Sequence, residues 1–146
     1  VAIGGVSAPA SAKSKGYVFK YKGVSVTMNG AAKKLIKKAG KPSKKTVKKS
    51  CAYKGKDRTY TYKDFQLKTY SKTNNGAEYV SEIRFRSNKA VTKEGIRIGS
   101  SLKDVTKKYG KAKARFGVYT FKKGSSKLQI MLNGNKVSAI RYFASK

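Results

Sequence analysis

Apolar and polar residues alternate with a period of two along much of this chain, which predicts short β-strands. The alternation is clearest in Ala77–Arg86. There the pattern places Tyr79, Ser81, Ile83 and Phe85 on one face and Val80, Glu82, Arg84 and Arg86 on the other. Turn-forming Gly, Asn and Ser residues separate the segments and favour antiparallel hairpins. The predicted strands are Tyr17–Lys22, Ser50–Tyr53, Arg58–Lys63, Phe65–Tyr70, Ala77–Arg86, Arg115–Lys122, Lys127–Leu132 and Lys136–Phe143. The basic segment Lys44–Lys49 is predicted to be a connection that leads into Ser50–Tyr53.

Two segments depart from the alternation and predict short amphipathic helices. In Gly95–Gly110, Ser101 is placed to cap the helix, and Asp104 three residues later completes a capping-box-like pair. In Val24–Gly40 the corresponding cap is predicted at Asn29. Each segment ends in a glycine, the residue that most readily adopts the left-handed conformation after a last helical turn.

The two helices and the strands that follow them are similar enough to predict an internal repeat. Three segments recur in the same order: Tyr60–Lys63 in Tyr119–Lys122, Phe65–Leu67 in Leu128–Ile130, and Ser81–Phe85 in Ser138–Tyr142. The prediction is therefore an α+β fold in a single domain, residues 17–146. Repeat one (17–90) and repeat two (91–146) would each consist of a short helix and an antiparallel β-meander, with both helices packed on one face of the sheet.

The repeat resembles a known fold. Gly95–Gly99 and Lys107–Lys111 fit a G-[IV]-x-[IV]-G, helix, [KY]-x-G-K pattern, while Gly23–Val26 and Lys37–Lys41 fit it less well, with Thr27 at the second glycine. Residues 17–146 thus resemble the β-lactamase-inhibitor-protein-like fold, and each half is similar to small lipoproteins that assist outer-membrane assembly. The resemblance implies a concave sheet surface with helices behind it.

In the inhibitor family that surface clasps a β-lactamase through loop carboxylates and aromatic residues. Here Asp57 is the only acid in a comparable loop, and a net charge of +30 suits an inhibitor of this kind poorly. Inhibition of an enzyme is therefore the third functional hypothesis.

The charge is the most unusual property of the chain. Lys and Arg total 36 against six acids, and only six of the bases are arginine. Such a field favours anionic partners, which include nucleic acid, anionic lipid and anionic cell-wall polymer. Because lysine is a hydrated point charge while arginine makes bidentate contacts, the excess of lysine indicates diffuse, salt-sensitive attraction.

Nothing in the sequence predicts catalysis, a cofactor or a metal site. The chain has no histidine, its acids are scattered, and Cys51 is its only cysteine. Without a histidine to activate it, Cys51 is expected to be buried and inert in a strand.

Residues 1–16 are predicted to be either the remnant of a signal peptide or a disordered tail. Ala10–Ala12 forms an A-x-A cleavage pattern before Lys13. Lysine-rich repeats behind such a start are similar to secreted domains of Gram-positive gut bacteria. The resulting prediction is a secreted or cell-surface protein of a Gram-positive bacterium.

Two surfaces are candidates for binding. The lysine clusters would attract an anion, and a sheet face carrying Arg84, Arg86 and Arg141 would contact a ligand together with strand tyrosines. The alternatives are a solvated lysine surface and tyrosines that fill the core. The tyrosines in question are Tyr53, Tyr60, Tyr62, Tyr70, Tyr79, Tyr119 and Tyr142. The candidate anion-binding lysines are Lys33, Lys34, Lys37, Lys38, Lys44, Lys45, Lys48, Lys49, Lys107 and Lys108.

The leading hypothesis is a non-catalytic binding module of the cell envelope that adheres to an anionic wall polymer or a protein partner. The second is an intracellular nucleic-acid-binding protein. A genuine upstream signal peptide would argue strongly against the second.

Overall fold

The computed structural model describes residues 16–112 and 114–144. The segment predicted to be a signal remnant or tail lies outside them, except for Gly16. The described residues form strands β1 (Val18–Tyr21), β2 (Val24–Thr27), β3 (Lys44–Lys49), β4 (Lys56–Thr61), β5 (Phe65–Ser71), β6 (Glu78–Phe85), β7 (Val118–Lys123), β8 (Ser126–Asn133) and β9 (Lys136–Ala144). The helices are α1 (Lys33–Ala39) and α2 (Leu102–Tyr109).

Seven of the strands form one antiparallel sheet in the order β3-β4-β5-β6-β9-β8-β7, and β1 and β2 form a separate hairpin. The predicted α+β class is wrong. Strands account for 48% of the described residues and helices for 12%, so the fold is β-rich. The helices have only seven and eight residues, so they are too short to form a helical layer over a seven-stranded sheet.

Most of the cover over the buried face of the sheet is not helical. The helices bury Leu35 and Val105, whereas the β1–β2 hairpin buries Phe19 and Val26 and the loop before α2 buries Ile96. Strand residues from both halves of the sheet complete the same core. Seven of the nine strands were predicted, but β2, β3 and the hairpin's role as cover were not.

Two β-bulges change the predicted faces of the central strands. The register of β6 with β5 shifts near Ser81, and that of β9 with β8 shifts near Ser138. Each serine hydroxyl donates to a carbonyl of the neighbouring strand, at 3.1 Å from Ser81 to Lys68 and 3.2 Å from Ser138 to Met131. Val80 is therefore buried with Ile83 although the alternation predicted it on the opposite face, because a bulge inserts one unpaired residue.

The two meanders have matching registers. Leu67 pairs with Tyr60 and Ile83, and Ile130 pairs with Tyr119 and Ile140. These are the positions that the three recurring sequence segments align. The division of the chain at residue 90 stays a prediction.

The segments that precede the two helices also match, but the residue that aligns with Gly99 is not the one predicted. The amide of Asn29 donates to the carbonyl of Val80 at 2.7 Å, and the amide of Gly99 donates to that of Val137 at 2.8 Å. Both donors have a left-handed backbone, with φ of 66° and 100°. Asn29, not Thr27, therefore occupies the position of the second glycine, which suits asparagine's tolerance of this conformation.

The predicted cap of the second helix is correct and that of the first is wrong. The Ser101 hydroxyl accepts from the amide of Asp104 at 3.1 Å, as expected for an N-cap. The N-cap of α1 is Ala32, which has no side-chain bond. Asn29 instead accepts a hydrogen bond from the Tyr70 hydroxyl at 2.9 Å.

Two local predictions between the first helix and the meander are wrong. Lys44–Lys49, predicted as a connection, is strand β3, whereas Ser50–Tyr53, predicted as a strand, is a bend. Cys51 lies in that bend and is exposed, so it is not buried in a strand. Ser50 holds the bend, because its hydroxyl accepts from the amides of Ala52 and Tyr53. In the described part of the chain, neither helix has the length and apolar character needed to cross a bilayer.

Candidate anion-binding surface

The ten lysines predicted to bind anions divide into three exposed groups. They are Lys33, Lys34, Lys37 and Lys38 on α1, Lys44, Lys45, Lys48 and Lys49 on β3, and Lys107 and Lys108 on α2. Only four residues separate α1 from β3, while α2 leads into β7 at the opposite edge of the sheet. The α1 and β3 groups are therefore neighbours along the chain, and the α2 pair is separate. Lys107 and Lys108 lie in the last turn of their helix, where they also complement its dipole.

Strand β3 presents lysines on both of its faces. It is an edge strand, and all six of its residues are exposed. Lys44 and Lys48 share one face and lie about 13 Å apart, given a rise of about 3.3 Å per residue. Lys45 and Lys49 share the other face, and the Lys45 ammonium lies 5.2 Å from the centre of the Tyr60 ring. One edge of the sheet therefore carries four accessible positive charges.

Few of the positive charges are neutralised within the protein. In the described residues both ion pairs join Glu82 to an arginine, and no described lysine forms one. The other acids accept mainly from hydroxyls: Glu78 from Tyr60 at 2.6 Å and Glu94 from Tyr109 at 2.7 Å. Among the same residues, no three His, Cys, Asp or Glu side chains are grouped to hold a metal ion. The lysine ammonium groups are thus left to interact with solvent or an external anion.

The structure brings two of the three predicted sheet-face arginines together. Arg84 of β6 and Arg141 of β9 are register partners, and Glu82 bridges them at 3.3 and 3.8 Å. Arg86 lies beyond the end of β6, and its guanidinium donates to the carbonyl of Tyr62. Arg86 therefore supports a turn and does not belong to the arginine pair.

The tyrosines divide between the core and one partly exposed stack. Tyr60, Tyr62 and Tyr142 are buried, as the alternative interpretation of the tyrosines predicted. Tyr119 is half-buried and packs against the core. The remaining three form a stack, with ring centres 4.9 Å apart for Tyr53 and Tyr70 and 5.6 Å apart for Tyr70 and Tyr79.

The buried phenols stay neutral. Burial, followed by the hydrogen bond to the Glu78 carboxylate, raises the pKa of Tyr60 well above that of a free phenol. Burial likewise raises the pKa of Tyr109 and Tyr142, and the Glu94 carboxylate raises both further. The hydroxyls of Tyr60 and Tyr109 therefore act as neutral donors to these carboxylates, whereas the buried Tyr142 hydroxyl has no hydrogen-bond partner among the described residues.

Two cavities open on the face of the sheet opposite the core, here called the open face. One of about 520 Å³ lies at the β3 end and is lined by Lys48, Lys68, Tyr53 and Tyr70 among others. The other, of about 190 Å³, lies beside Arg84 and Arg141. The open face thus combines concave surface with positive charge.

No family model, curated protein or solved structure matches this chain. The resemblance to the β-lactamase inhibitor fold therefore stays a prediction, and the functional argument depends on the geometry of this surface alone.

Proposed function

We propose that this protein is a non-catalytic, extracellular binding module that adheres to a phosphate-bearing wall polymer through the lysines of α1 and β3. The observation that carries the proposal is that the described lysines have no carboxylate partner while four of them line one edge strand. Each is free to replace a counterion on a polyanion, which is the main source of affinity in such contacts.

A linear polymer fits this arrangement better than a compact anion does. The β3 charges extend along one strand, and those of α1 lie only four residues before it in the chain, so a chain of phosphates can contact several at once. Contacts made by lysines depend on the charge of the polymer and not on a nucleotide sequence, because a point charge does not distinguish base edges. Tyr53, Tyr70 and Tyr79 form one local stack in which only Tyr53 is exposed, which is less than the row of accessible rings that stacks successive bases of a nucleic acid.

The proposal is tested by retention of the intact protein on immobilised poly(glycerol phosphate) and on immobilised RNA across a salt series. Four lysine–phosphate contacts predict a loss of affinity of about 100-fold between 50 and 200 mM salt, taking the coefficient known for DNA. The polymer should retain the protein at least as strongly as RNA of equal charge. Stronger retention on RNA throughout the series would favour the nucleic-acid hypothesis, and no retention on the polymer would exclude the proposal.

A further inference from the structure

A row of polar side chains crosses the open face from one edge strand to the other. Each member is the register partner of the next, so their side chains lie side by side. In order across the sheet they are Lys44, Thr61, Gln66, Arg84, Arg141, Gln129 and Thr120. We call the six residues from Thr61 to Thr120 in this row the Thr–Gln–Arg ladder.

The ladder is symmetric about its centre. It reads Thr, Gln, Arg in the first half and Arg, Gln, Thr in the second, with the midpoint between Arg84 and Arg141. Core positions beside it differ between the halves, as Leu67 and Ile130 do. Packing constrains solvent-facing residues less closely than core residues. The identity of the Thr, Gln and Arg pairs in the two halves therefore indicates a shared ligand contact.

The centre of the ladder has an electrostatic cost that an anion would relieve. Like charges directly opposite each other on neighbouring strands destabilise a sheet. Glu82 contacts both Arg84 and Arg141, but one carboxylate leaves the group with a net positive charge. The Arg141 guanidinium lies 4.4 Å from the centre of the Phe143 ring, and its Nε is buried with no hydrogen-bond partner among residues 16–112 and 114–144. The side chains of Arg84 and Arg141 are 51% and 31% exposed, so both guanidinium groups are accessible to an anion at the midpoint.

The Gln and Thr side chains on either side of the two arginines can form hydrogen bonds with the hydroxyls of a ligand. Gln66 donates from Nε2 to the Thr61 hydroxyl at 3.1 Å, which leaves the Gln66 carbonyl and the Thr61 proton for an external partner. Gln129 lines the cavity of about 190 Å³ beside the two arginines. Amides and hydroxyls both donate and accept, as a polyol requires.

We infer that the Thr–Gln–Arg ladder is a specific subsite for a polyol phosphate chain: Arg84 and Arg141 bind one phosphate, and the Gln and Thr pairs contact the hydroxyls on either side. This inference rests on the proposed function, because it assigns to the same polymer a second, directional contact. Along the ladder, an anion-binding centre lies between two pairs of groups that bind hydroxyls. Along such a polymer, each phosphate likewise lies between two hydroxyl-bearing units. The ladder itself contains no aromatic residue, and the Arg141 guanidinium lies over the Phe143 ring beside it, which disfavours stacked bases there.

Two paired variants of the intact protein test the ladder by titration with poly(glycerol phosphate) and with inorganic polyphosphate. Arg84→Gln with Arg141→Gln should weaken both interactions by about tenfold or more, the loss expected for charge-assisted hydrogen bonds. The control Arg97→Gln with Arg115→Gln makes the same change in net charge at two exposed arginines outside the ladder, and it should have a much smaller effect. Equal losses in the two pairs would overturn the subsite.

Gln66→Met with Gln129→Met removes two amides without changing the charge. It should weaken the interaction with poly(glycerol phosphate) by about fivefold, as expected for two neutral hydrogen bonds, and leave that with polyphosphate unchanged. Equal effects on both polymers would overturn the assignment of hydroxyl contacts. If all ladder variants bind like the wild type, the ladder inference fails while the proposed function stands; a wild type that binds neither polymer overturns both.

Discussion

Replacing Phe19 with alanine is expected to lower the free energy of unfolding by about 3–5 kcal/mol, the usual loss for a buried aromatic residue. Phe19 is 0% exposed. Its ring centre lies 5.4 Å from that of Phe65, 5.5 Å from that of Phe85 and 6.2 Å from that of Tyr142. Since Phe65 and Phe85 come from one meander and Tyr142 from the other, this one ring holds the β1–β2 hairpin against both.

Urea unfolding followed by circular dichroism measures the effect, and Phe116 supplies a matched control. Phe116 is 104% exposed, so Phe116→Ala should change the unfolding free energy by no more than about 0.5 kcal/mol. If Phe19→Ala were as mild as the control, the hairpin would not be the cover of the core that the packing describes.

Neutralising the four β3 lysines is expected to remove most of the salt dependence of binding to poly(glycerol phosphate). The wild type should lose about 100-fold in affinity between 50 and 200 mM salt and the variant far less, because four phosphate contacts are lost. The change is Lys→Gln at Lys44, Lys45, Lys48 and Lys49 together. All four side chains are exposed and in no ion pair, so the fold should tolerate the replacement.

The matched control removes the same charge from four lysines that lie in three separate segments of the chain. Lys20, Lys63, Lys89 and Lys93 are exposed and belong to no predicted cluster. Their joint replacement by glutamine should reduce affinity only through the lower net charge. Titration calorimetry at two salt concentrations compares the variants, and equal losses would mean that total charge, and no particular surface, determines binding.

The strand pattern could be predicted from the sequence because alternation survives in most strands. The prediction fails where a bulge interrupts the two-residue alternation. The bulges at Ser81 and Ser138 have no recognisable local sequence pattern, so the alternation predicts the wrong face for Val80. The fold class failed for a different reason. Helices of seven and eight residues were recognised, but nothing local in the sequence shows that the β1–β2 hairpin covers much of the core in their place.

The candidate site was predicted in part. Composition alone identifies the lysine clusters. It does not identify β3, because lysine is a poor strand former in general and Lys44–Lys49 is therefore predicted to be a connection. Lysine is nevertheless typical of edge strands, where charge discourages pairing with other chains, and that signal would have identified β3. The ladder was missed because its members are distant in sequence, although the recurring Gln66 and Gln129 were visible in the matched segments.

Amide chemical shifts recorded during titration with poly(glycerol phosphate) give the most direct test of the proposed lysine surface. The account predicts that the changes concentrate on α1, β3 and the Thr–Gln–Arg ladder, and that the β1–β2 hairpin, which also carries exposed Lys20 and Lys22, changes little. Changes of equal size on the hairpin and on β3 would contradict it.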